Sequence, residues 1–95
     1  MSLGIHHVKN FDFKEGDLVY ACPELYIQGC IYVVGANGMV NYRSTQFTIR
    51  MLETTVTRSA LVSVFRFDPV KKIYVEVAKR NSNRDSWQVY DDADK

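Results

Sequence analysis

The feature that most restricts this chain is the two-residue period of its apolar side chains, broken at short intervals by turn-forming residues. Phe47, Ile49 and Met51 alternate with Gln46, Thr48 and Arg50. This period puts successive side chains on opposite faces of a strand, whereas a helix buries residues three and four apart.

Turn chemistry divides the chain into strands. Lys14-Glu15-Gly16-Asp17 reads as a turn before a strand over 18–22, which Pro23 ends. Cys30 to Ala36 and Met39 to Arg43 flank Asn37-Gly38, a pair that accepts the two positive φ angles of a type I′ turn and predicts a hairpin. A two-residue loop would pair Gly35 with Val40, Val34 with Asn41 and Val33 with Tyr42, placing Ile31, Val33, Val40 and Tyr42 on one face. Another strand is expected over 45–52. Met51 to Leu61 could form two helical turns, but its three threonines and a valine favour a bent strand.

Leu61 to Phe67, a turn starting at Asp68-Pro69, and Ile73 to Lys79 predict a second hairpin. Five loop residues would pair Phe67 with Ile73, four would reverse the parity, and either register leaves a largely apolar face. Asn81 to Ser86 reads as a polar turn before a short last strand, Trp87 to Tyr90, with 1–10 and 91–95 expected to be loosely ordered. About six strands in 95 residues must curl to bury their apolar faces. The expected fold is therefore one all-β domain spanning 1–95, a small antiparallel barrel or half-open sandwich, meander-like with two clear hairpins.

The segment Phe13 to Ala21, FKEGDLVYA, resembles the first strand of SH3-like barrels of the Tudor and PWWP kind, where a turn ending in Gly-Asp leads into an apolar-aromatic strand. The resemblance is confined to 13–21. It implies an aromatic cage for a peptide or a methylated basic side chain, with Tyr20, Tyr26, Tyr32 and Tyr42 as its candidate residues. Read from the residues alone, tyrosines on strands are more often half-buried packing groups whose hydroxyls reach water.

Charge narrows the partner class. A net charge of +1 and a pI near 7.8 fall short of the basic footprint usual for nucleic-acid binders. A barrel binding nucleic acid through Tyr32, Arg43 and Arg50 is thus the alternative and not the favoured reading. Lys71, Lys72, Lys79, Arg80 and Arg84 are read as solvated charges that protect a hairpin edge.

Catalytic and metal chemistry find no motif: there is no GxSxG, HExxH or phosphate-cradling glycine loop, and the two histidines, His6 and His7, adjoin each other. The expectation is a non-enzyme without cofactor or metal. Cys22 and Cys30 are read as buried free thiols in preference to a disulfide, because no leader sequence points to an oxidising compartment. No apolar run approaches the ~20 residues of a membrane-spanning helix, and a cytoplasmic setting is the default. Six tyrosines, five phenylalanines and one tryptophan, with many Val and Ile, are expected to give more apolar strand surface than one small core hides. That excess predicts an interaction or assembly module, a homodimer or the binder of a protein partner, using an aromatic sheet face that bears Arg43 and Arg50.

Overall fold

The computed structural model describes residues 4–24 and 28–90. Its strands are β1 (Ile5–Val8), β2 (Leu18–Cys22), β3 (Cys30–Val34), β4 (Met39–Tyr42), β5 (Thr45–Thr48), β6 (Leu61–Asp68), β7 (Ile73–Arg80) and β8 (Trp87–Tyr90), with a helix α1 (Ile49–Arg58) between β5 and β6. All eight join one antiparallel sheet in the order β1-β8-β7-β6-β2-β3-β4-β5. The all-β antiparallel expectation holds. Six strands and a closed barrel do not, because β1, in a segment expected to be loose, pairs with β8, while β1 and β5 remain as open ends.

Covering elements remove the need for closure. Register places Val19, Ala21, Val34, Val40, Val62, Val64 and Ala78 on one face, the inner face, where all are buried. Over it lie Leu52 and Val56 of α1, and Phe11 and Phe13 of the segment before β2, packed around Trp87. The opposite face has no covering element among the described residues, and there Ile31, Val33, Phe67 and Tyr74 are exposed.

The helix corrects the bent strand expected over 51–61 and ends the strand expected over 45–52 at Thr48. Thr48 caps it, its Oγ1 accepting from the Met51 N–H. Thr54 and Thr57, the residues that argued for a strand, donate their hydroxyls to the carbonyls of Arg50 and Glu53 four residues back. Burial of Leu52 and Val56, spaced one turn apart, outweighs a weak propensity.

Both hairpin expectations survive in kind; the first changes in register, and the second adopts one of the two registers its sequence leaves open. Asn37 (φ 58°) and Gly38 (φ 74°) adopt the left-handed conformations expected of them, and the Met39 N–H closes the turn onto the Ala36 carbonyl. The Gly35 N–H then also donates to the Met39 carbonyl, so Gly35 and Ala36 together face Met39 as a bulge. Pairing becomes Val34 with Val40 and Val33 with Asn41. This one-residue slip sends Tyr32 and Val34 inward with Val40 and Tyr42, and turns Ile31 and Val33 out to solvent. The second hairpin uses four loop residues, pairing Asp68 with Ile73 and Phe67 with Tyr74. A further bulge next to Val64 and Phe65 buries Val77.

Cys22 and Cys30 are free and half-buried. Because Ala21 pairs with Cys30, the Cys30 side chain points inward and the Cys22 side chain outward, a divergence that a disulfide cannot span without moving backbone. Outside the sheet, Gly29 lies under the Tyr20 ring and its N–H donates to the Tyr20 hydroxyl at 3.2 Å. A Cβ there would sit 2.6 Å from Tyr20 Cζ and 2.8 Å from Cys22 Sγ. Gly29→Ala should therefore cost about 1–3 kcal/mol by overpacking, read by urea denaturation. An unchanged midpoint would contradict the close packing.

On the outer face the Tyr90 hydroxyl donates to Glu76 Oε1 at 2.5 Å. Burial first, then this hydrogen bond, push its pKa from 10.0 up to about 12. A folded-state pKa above that of the unfolded chain gives stability that is complete below the unfolded value near ~10 and disappears as pH rises through the folded value. Between pH ~10 and ~12 the wild type should lose stability relative to Tyr90→Phe, which has no proton to lose there. Melting temperatures that fall in parallel for the two proteins would refute the assignment.

Candidate binding cleft

Local geometry at the β5 end of the sheet gathers three aromatic rings on the inner face. Tyr32 on β3, Tyr42 on β4 and Phe47 on β5 lie on neighbouring strands, all inward by register. The Tyr32 and Tyr42 rings are 5.0 Å apart and tilted by 30°, and Phe47 lies 6.3 Å and 6.2 Å from them. Tilted rings this close make a wall, since no gap remains between Tyr32 and Tyr42 for a ligand.

A cleft of about 260 Å³ opens between that wall and α1, lined by Tyr32, Phe47, Met51, Leu52, Thr54 and Thr55. Leu52 is its buried floor, while Met51 is 50% exposed. Helical spacing brings Met51, Thr54 and Thr55 to one side. The lining is apolar apart from the tyrosine and threonine hydroxyls, and no charged side chain belongs to it.

Polar detail sits behind the wall. Cys30 Sγ and the Tyr42 hydroxyl are 3.3 Å apart in a hydrogen bond. This bond is the first cause raising the Tyr42 pKa above its ordinary value, burial adds to it, and the Arg43 guanidinium pulls the other way. Burial raises Tyr32 as well, followed by its neighbours Cys30 and Tyr42. Both phenols are thus neutral at physiological pH and act as hydrogen-bonding, ring-bearing surfaces.

Of the residues singled out from sequence, Tyr32, Tyr42 and Arg43 come together. Arg43 occupies the β4–β5 turn at φ 55°, with its guanidinium 5.3 Å from the Tyr42 ring centre. Tyr20 is on the opposite face, held to Gly29, and does not join them. Arg50 belongs to α1 and not to the sheet, in a polar surface depression with Glu53, Thr54, Thr57 and Arg58. Tyr26 lies outside the described residues.

Sequence reading missed Phe47, Met51, Leu52, Thr54 and Thr55 as cleft residues. The available signal was Ile49, Leu52 and Val56 at spacings of three and four, which outlines a helix whose flank carries Met51 and Thr55. Among the described residues no group of three His, Cys, Asp or Glu side chains is placed to hold a metal ion, and no helix is long and apolar enough to cross a membrane. Compared with protein-family models, curated proteins and solved structures, the chain has no match.

Proposed function

We propose that this chain is a small non-catalytic interaction module that takes a large apolar side chain of a protein partner, or of a second copy of itself, into the cleft between α1 and β3–β5. The observation behind this reading is the cleft: about 260 Å³ of apolar-lined space, open beside an exposed Met51. Burying one Leu- or Phe-sized anchor there would contribute roughly 1.5–3 kcal/mol, and central anchors of this kind dominate interface energetics. Methionine adapts its shape to varied partners. The missing carboxylate supports an apolar occupant over a methylated cation. Nucleic acid has less support, because Tyr32 and Tyr42 turn their faces to each other and Arg50 is on the helix.

Selection from a random-peptide display library tests the reading, with sedimentation equilibrium covering self-association. Selected peptides should share a Leu, Met or aromatic anchor and bind Met51→Lys and Thr54→Lys about tenfold more weakly or worse, the loss expected for 1.4 kcal/mol. Both substitutions are at exposed positions and should leave the fold intact. Peptides that bind both variants as well as wild type would sink the reading. So would a failed selection together with a monomer at every concentration.

A further inference from the structure

Asp17 and Arg80 are the buried charged residues of the described chain, and they are served differently. Asp17 has an ion-pair partner in Arg66, whereas Arg80, only 7% exposed, has no carboxylate within ion-pair distance among the described residues. Its position follows from register: Arg80 pairs with Val62, so it points to the inner face and reaches the end of α1. There Nη2 donates to the carbonyls of Val56 and Ser59, the latter at 3.4 Å.

Those carbonyls carry part of the negative end of the helix dipole, worth about half a charge, so they offset the guanidinium only in part. A guanidinium has five N–H donors. Nε is buried without a partner, and both hydrogen bonds to the helix carbonyls come from Nη2. Burial pulls the Arg80 pKa below its ordinary value, with Asp85 acting in the opposite direction from a distance. The guanidinium carbon is 5.4 Å from the Trp87 ring centre, and both residues line a cleft of about 120 Å³ with Lys9, Asn10, Thr57 and Glu53. Asn10 and Thr57 bring further hydrogen-bonding groups, and Lys9 brings a second cation.

We propose that this cleft binds a small oxyanion, a carboxylate or phosphate group, between the Arg80 guanidinium and the Lys9 ammonium beside the Trp87 ring. The planar fork of arginine matches such groups, and a volume of this size suits an isolated anion or the end of a larger molecule. Glu53, exposed at the rim, opposes the anion and sets the sign of one test. The site is separate from the aromatic cleft and stands or falls independently of it.

Trp87 is the chain's only tryptophan and lies against Arg80, so its fluorescence reports directly. The full chain is titrated with sodium acetate and, separately, with sodium phosphate at constant ionic strength maintained with chloride. A saturable change is expected with at least one anion, and the tighter of the two identifies the preferred group. Lys9→Gln should weaken binding and Glu53→Gln should tighten it, each by about threefold or more, as for removal of one partly screened charge. Arg80→Met also removes the contacts to Val56 and Ser59, so the exposed Lys9 and Glu53 carry the test. No saturable response to either anion, or affinities that both variants leave unchanged, would overturn the site.

Discussion

Arg66→Ala is expected to destabilise the fold by about 3 kcal/mol, a large share of what a domain of this size possesses. Asp17 is fully buried and accepts three hydrogen bonds: from the Lys14 N–H at 2.9 Å, from Arg66 Nε at 2.8 Å and from Arg66 Nη2 at 2.9 Å. Truncating Arg66 takes two of the three and leaves a carboxylate without its cation in a dry site. An exposed pair would be worth little, but here one partner has no contact with water.

Position makes the loss wider than the pair. Asp17 closes the Lys14–Asp17 turn, its N–H bonding the Lys14 carbonyl, and it immediately precedes β2 at the centre of the sheet. Arg66 also lies 5.8 Å from the Phe11 ring, so it helps fix the segment that covers Trp87. Urea denaturation of Arg66→Ala, Asp17→Ala and the double variant measures the coupling. The double variant should be much less destabilised than the sum of the two, because either single change strands the other charge. A loss under about 1 kcal/mol for Arg66→Ala, or simple additivity, would show that the pair contributes as weakly as a surface contact.

Sequence made legible what depends on neighbours in the chain. The Lys14–Asp17 turn, the Asn37-Gly38 turn, the Asp68-Pro69 turn and the strands around them follow from φ requirements and period-two patterning, which act over a few residues. Register did not follow, since each hairpin carries a bulge whose placement depends on which residues the far side of the core accepts. At Gly35 the extra residue is set by packing of Val34 and Tyr32 on the inner face beneath α1, a helix that its threonine-rich sequence does not announce. The basic residues show the same limit: in sequence Arg80 resembles its solvated lysine neighbours, and only its pairing with Val62 reveals that it is buried. Likewise the four tyrosines singled out look equivalent as a list of aromatic residues on strands. Strand parity separates Tyr32 and Tyr42, inside the cleft wall, from Tyr20 on the other face.

Leu52→Ala should cost about 3 kcal/mol and, unlike Met51→Ala one residue away, should do so through the fold before it affects any ligand. Leu52 is 1% exposed and joins the core cluster with Val56, while Met51 is 50% exposed and makes the cleft's mouth. The helix covers one end of an open sheet with two buried residues, Leu52 and Val56, so removing either leaves a void that ten residues of threonine-rich helix cannot collapse without leaving the sheet. Amide exchange over α1 should therefore speed up in Leu52→Ala toward the rate of local opening, with β2, β6 and β7 still protected. Met51→Ala should leave both stability and exchange within about 0.5 kcal/mol of wild type, as for an ordinary surface position, yet weaken any peptide held in the cleft. Equal stability losses for the two substitutions would mean that Met51, too, belongs to the core, and the cleft would then be a packing defect and not a binding site.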